Sequence, residues 1–131
     1  MNASQAGKEK NQTFARGQYG GDYHPDLKPE PGETVVAEHW TASAFANTDL
    51  DTQLKNQGVD QIVLAGFVAN TCLESIGRYG VELGYHVTFL KDATSAFSEE
   101  AHHAAVDINW PAFAHAILTK KQFVEKLKTN Q

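Results

Sequence analysis

The stretch from Gln61 to Gly84, QIVLAGFVANTCLESIGRYGVELG, leaves the chain few folds to choose from. Ile62, Val63, Leu64 and Ala65 make a short unbroken apolar run, the pattern of a parallel strand covered on both faces. Gly66 ends the run and permits a sharp turn. From Leu73 the inward positions recur as Leu73, Ile76, Gly80 and Leu83, a helical stripe rather than an alternation. Gly84 stands where a left-handed C-terminal cap is wanted. A second apolar run, Tyr85 to Leu90, follows at once, so the stretch reads as a βαβ unit. Such a unit puts Cys72, the single cysteine of the chain, at the carboxyl edge of a parallel sheet and at the start of a helix. Open α/β sheets carry their chemistry at that edge.

The flanking sequence extends the same alternation. Residues 1–13 are polar, and are expected to be a disordered or remnant segment ahead of a domain spanning 14–131. Phe14 to Gly32 is rich in Gly, Tyr, Pro and Asp and reads as a long irregular loop, kept ordered by Phe14, Tyr19 and Tyr23. Val35 and Val36 predict a short strand over Glu33 to Ala37, leading into the polar and aromatic Glu38-His39-Trp40. Asn47 or Thr48 caps a helix with Leu50 and Leu54 facing inward and Gly58 at its end. After Leu90, Lys91 to Ser95 reads as a loop at the Cys72 edge. Ser98 caps a helix with Glu99 and Glu100 in its first turn, running toward Trp110 and stopped by Pro111. Ala114 to Leu118 is a last strand, and Thr119 caps a basic helix with Phe123, Val124 and Leu127 on its apolar face. The expected architecture is a three-layer α/β/α sandwich on a mainly parallel sheet of four strands.

Composition narrows the partners. A chain of 131 residues with 41% hydrophobic and 21% charged residues fits one ordinary globular domain. The formal net charge of −5, with lysines gathered only near the C-terminus, argues against nucleic acid. No run is long enough to span a bilayer and the first twenty residues are polar, so neither a membrane segment nor a signal peptide is expected. A lone cysteine fits a reducing cytoplasm.

Cys72 is the leading chemical candidate, set against the plainer reading of a small buried hydrophobe. Helix N-termini favour anions, and the loop Gly66 to Thr71 can aim backbone N–H groups at a substrate oxygen. Glu74 opposes a negative charge on sulfur, but Arg78 lies one turn on and can pair with it or with Glu82. His102, His103 and Asp107 have a spacing that one helix could offer to a metal, but such residues are commonplace on solvated faces and no metal site is assigned. His24, in His24-Pro25-Asp26-Leu27, pins a turn or, by that segment's resemblance to a loop near the active site of related proteins, borders a candidate site. Trp40, Phe45, Phe67 and Asn70 are candidate pocket residues, with a core role as the alternative for the aromatics.

Several ordered segments resemble the isochorismatase-like cysteine hydrolases. Gly66-Phe67-Val68-Ala69-Asn70-Thr71-Cys72 is similar to their nucleophile loop. Ser43-Ala44-Phe45 with the following helix, Asp92-Ala93-Thr94-Ser95-Ala96-Phe97 and the Ala114 to Leu118 strand match in order and spacing from about Phe14 onward. The resemblance implies hydrolysis of a small amide-like or ureide substrate without a cofactor or metal. Cys72 would be the nucleophile, Phe67–Val68 a cis peptide, and the Val68 and Cys72 N–H groups the oxyanion donors. It also implies a homo-oligomer.

Two parts of the pattern are missing. The family's lysine belongs near Glu38-His39-Trp40, where His39 is the nearest match and a candidate base or cation in its place. The family's aspartate ends a first strand that has no counterpart before Phe14, so the fold is expected to be N-terminally incomplete. The rival function is therefore a catalytically inactive, truncated homologue serving as a binding or oligomer-forming module. A nucleotide-binding domain is a third reading, disfavoured by the lack of a glycine fingerprint after a strand.

Overall fold

A computed structural model describes residues 3–36 and 41–129. The chain divides into two compact units, Met1–Val35 and Val36–Gln131. The first unit holds α1 (Ala3–Lys10) and two single 3-10 turns at Tyr19–Gly21 and Pro25–Leu27. α1 lies within residues 1–13, the segment expected to be disordered or a remnant. In the second turn His24 Nδ1 accepts a hydrogen bond from the Asp26 N–H at 3.2 Å, so this histidine pins a turn.

The second unit is built on three parallel strands, β1 (Gln61–Phe67), β2 (His86–Ser95) and β3 (Ala116–Leu118), ordered β1-β2-β3. The helices are α2 (Leu50–Asn56), α3 (Glu74–Glu82), α4 (Glu99–His103) and α5 (Lys120–Thr129). Together they form the open, parallel α/β sheet with flanking helices that the alternation predicts. Local signals hold where they were read. Gly84 has φ +92° just past α3, Thr48 Oγ1 accepts from the Leu50 N–H at 3.2 Å, and Ser98 Oγ accepts from the Ala101 N–H at 3.1 Å. Thr119 and Gln122 cap α5 reciprocally, each backbone N–H bonded to the other's side chain.

Three expectations are corrected. Residues 33–36 form no strand, and Ala37 lies outside the described residues, so the described sheet has three strands rather than four. Two valines make an extended segment, but a strand needs a neighbour to bond with. Second, β1 is not covered on both faces: burial alternates along it, with Val63 40% and Phe67 71% exposed. It lies at the end of the strand order, bonded to β2 alone among the described strands. Third, residues 91–95 are no loop. They prolong β2, with Gly66 opposite Thr94 and Phe67 opposite Ser95 after a register shift beyond Leu64.

The core lies between α3 and the sheet, and glycine decides how close they come. A Cβ on Gly80 would sit 3.0 Å from Ile62 Cδ1 and 3.3 Å from Phe45 Cε2. One on Gly77 would collide with the Phe89 ring. Phe89 is fully buried and stacks on Trp110 at 4.0 Å, with Phe113 edge-on at 5.9 Å. The helical path through Ala104–Asn109, a π-type turn, and Trp110–Ala112 delivers Trp110 to that stack.

Candidate active site

At the carboxyl end of β1 the chain leaves the sheet through a cis Phe67–Val68 peptide and a π-helical turn, Ala69–Leu73, that runs straight into α3. Val68 is extended, and its carbonyl accepts from the N–H groups of Thr71 (3.2 Å) and Leu73 (3.1 Å). On the far side, the Glu74 N–H donates to the carbonyls of Ala69 and Thr71. Ala69 and Leu73 are buried and act as anchors, while Asn70 and Thr71 are exposed. Cys72 lies between the anchors, partly buried and with a free thiol, and the Thr71 hydroxyl is 3.8 Å from its sulfur. The sulfur is therefore held on a closed turn at the sheet edge rather than sealed in the core.

Behind this turn stands a polar cluster. Glu74 Oε1 receives both Nε (3.1 Å) and Nη2 (3.0 Å) of Arg78, and Oε2 receives the Asn109 amide at 3.2 Å. The Arg78 guanidinium also lies 4.4 Å from the centroid of the Phe113 ring. The i, i+4 pairing of Glu74 with Arg78 was legible in sequence. Asn109, 35 residues away, was not, because only the packing of α3 against residues 104–113 brings it there.

Thr94 is a second residue that sequence reasoning passed over. It stands opposite Gly66 in the ladder, and its Oγ1 is buried without a hydrogen-bond partner among the described residues. A threonine in a Thr-Ser pair gives no signal of this in sequence. Asp92, in the same stretch, accepts from the Lys120 N–H at 2.7 Å and so ties β2 to the start of α5.

The remaining candidates part company. Phe67 and Asn70 flank the Cys72 turn and are exposed. Phe45 is 5% exposed and stacks on Tyr79 and Tyr85, against Gly80. Gly80 is eight residues past Cys72, which is about 12 Å of helix. The pocket-wall reading of Phe45 gives way to a core role. His39 and Trp40 fall outside the described residues. His103 pairs with Asp107 at 2.8 Å on an exposed face, and no group of three or more potential metal ligands gathers among the described residues. An open hollow within the first unit, lined by Asn11, Gln12, Phe14 and Gln18, contains none of the candidate residues. No helix among the described residues is long and apolar enough to cross a membrane.

Comparison with known proteins agrees with this geometry. The model of the Isochorismatase domain matches residues 2–121. An uncharacterized isochorismatase family protein of Bacillus subtilis, YwoC, is 37% identical over 108 residues, covering 82% of this chain and 56% of its own. The ureidoacrylate amidohydrolase RutB of Caulobacter segnis is 35% identical over 111 residues, covering 84% of this chain and 46% of its own. Among solved structures, an isochorismatase-like hydrolase from Alkaliphilus metalliredigens superposes with a TM-score of 0.77 at 32% identity, over 85% of this chain and 60% of that one. The chain thus spans about half the length of the curated relatives it matches. With a family model matched along most of its residues and a parallel sheet that presents a cysteine turn at its carboxyl edge, the chain belongs to the isochorismatase family.

Proposed function

We propose that the chain carries the nucleophile of a cysteine hydrolase that cleaves a C–N bond in a small amide or ureide. The Cys72 thiolate attacks the substrate carbonyl carbon, forming a C–S bond. The C–N bond then breaks and the amine leaves with a proton. Water hydrolyses the acyl-enzyme, returning the thiol and releasing the acid. The oxyanion of each tetrahedral intermediate is received by the N–H groups of Val68 and Cys72. Asn70 and Phe67 border the approach, and His39 is the candidate proton acceptor. No metal or cofactor is invoked in this reading, and cytoplasmic operation follows from a thiol that must stay reduced.

The observation that carries the proposal is the position of Cys72, partly buried on a turn anchored by Ala69 and Leu73 at the end of a parallel strand. The 35% identity to a ureidoacrylate amidohydrolase supports the choice of bond. The test is release of ammonia or amine from a panel of ureido acids and aromatic amides by the wild type and by Cys72→Ala. Turnover lost in Cys72→Ala is expected. Equal turnover in both forms, or none in either across the panel, removes the reading.

The second reading, a catalytically silent module, draws on the open face of β1, where Val63 and Phe67 are 40% and 71% exposed. Such a face suits association, homo-oligomers included. Its signature would be unchanged self-association or ligand binding in Cys72→Ala, with no turnover in either form.

A further inference from the structure

We infer that Glu74 is a positioning residue for Cys72, and that Arg78 and Asn109 serve to keep its charge from being felt at the sulfur. This rests on the assignment of Cys72 as nucleophile. A carboxylate two residues from a thiol that must become an anion is a liability, since like charges at close range repel. Glu74 nevertheless joins the Cys72 turn to the segment that carries Asn109. Its backbone N–H closes the turn that holds Cys72, by donating to the Ala69 and Thr71 carbonyls. Its side chain, 14% exposed, accepts a hydrogen bond from Asn109 on the segment packed beside the turn.

The charge on that brace is then cancelled. Two guanidinium nitrogens converge on Oε1, and the Asn109 amide occupies Oε2. Arg78 is itself held in place over Phe113 at 4.4 Å, a contact that fixes the cation on the Glu74 side of α3. The clamp therefore gives the turn a rigid, charge-assisted anchor while leaving the Cys72 neighbourhood close to neutral. The other charged or titratable groups on the helical stretch packed against the turn are Glu99, Glu100, His102, His103 and Asp107. They are the same in every variant below, so they cancel from the comparison.

The local potential at a thiol can be read without knowing the substrate, by alkylating Cys72 with anionic iodoacetate and with neutral iodoacetamide at low salt and one pH. The ratio of the two rates reports charge, since looser packing alone moves both rates together. Arg78→Gln exposes the Glu74 carboxylate, and the iodoacetate/iodoacetamide ratio is expected to fall about two- to five-fold. Glu74→Gln leaves the guanidinium unpaired, and the ratio is expected to rise. Asn109→Asp adds a second carboxylate and lowers the ratio. The double variant Glu74→Gln, Asn109→Asp moves the negative charge across the pair to residue 109 and turns the amide–carboxylate bond around, and its ratio is expected to lie near the wild-type value. Arg78→Lys keeps the charge and retains most of the wild-type ratio.

Ratios that stay at the wild-type value in folded variants would overturn the inference. So would Glu74→Gln and Arg78→Gln shifting the ratio in the same direction, since loss of a negative and of a positive charge must move it oppositely. Glu74→Gln is nearly isosteric and keeps the backbone bonds, so the test survives even if Arg78→Gln fails to fold. Labelling is measured whether or not the protein turns anything over. A failed clamp and a failed hydrolase assignment are therefore told apart.

Discussion

The hydroxyl of Tyr85 donates a hydrogen bond to Oδ1 of Asp51 at 2.8 Å, joining the residue before β2 to the first turn of α2 across 34 positions of sequence. Tyr85 is 3% exposed and its ring stacks on Phe45 at 5.4 Å, so one residue fastens α2 and the Ser43-Ala44-Phe45 segment to the sheet. Burial first, and then the bond to Asp51 and its charge, push the Tyr85 phenol up to about 12. Bonds from Lys55 and then Tyr85 hold the Asp51 carboxyl below its ordinary value.

The pH dependence follows from the signs. The Tyr85 shift is upward, so its contribution to stability is complete below the unfolded value of about 10 and drains away as pH rises toward 12. Tyr85→Phe is expected to lose about 1 kcal/mol at neutral pH, the worth of a hydrogen bond. It should also flatten the stability decline between about pH 10 and pH 12. Urea denaturation of both forms across that range measures this, and an unchanged alkaline slope would contradict it.

Gly77→Ala should be among the most damaging single-methyl additions available. The new Cβ would strike the Phe89 ring, which cannot yield because Trp110 stacks on it and Phe113 meets it edge-on. A cost of about 1–3 kcal/mol is expected for such overpacking, seen as a lower thermal midpoint. Wild-type stability would mean that α3 can lift away from β2 at no expense.

Ser98→Ala removes the N-cap of α4, the bond from the Ala101 N–H to the Ser98 hydroxyl at 3.1 Å. Loss of about 1 kcal/mol is expected, with Ser98→Asp retaining most of it because an acidic cap also suits the helix N-terminus. Ser98 also holds the Glu100 carboxyl down, after that residue's own backbone N–H. Chemical denaturation of the two variants at pH 7 decides the point.

Thr94→Val tests a buried hydroxyl that accepts and donates no hydrogen bond among the described residues. Its Oγ1 is buried with no hydrogen-bond partner among the described residues, so an isosteric methyl is expected to raise stability by about 1 kcal/mol. A fall of similar size would show that the hydroxyl is bonded in solution, through a water or otherwise. The measurement is a thermal midpoint against wild type.

What could be read from the residues was whatever is settled within a few positions along the chain. The apolar runs of β1 and β2, the Gly84 stop, the Ser98 and Thr119 caps and the i, i+4 pairing of Glu74 with Arg78 all depend on neighbours in sequence. So does the loop that carries Cys72, whose motif order was enough to suggest the family. Misreadings came wherever a residue's role is fixed by something distant. Residues 33–36 have the composition of a strand but form none, and residues 91–95 look like a loop yet pair with β1.

By itself the sequence determined that a βαβ unit would form and that a single thiol would stand at its carboxyl edge, because hydrophobic period and turn chemistry are local properties. Only the tertiary structure decided that β1 would keep one face open, that Phe45 would serve the core, and that Asn109 would meet Glu74 behind Cys72. Those outcomes depend on which surfaces meet when strands and helices pack. A linear pattern does not encode the meeting of residues 35 positions apart.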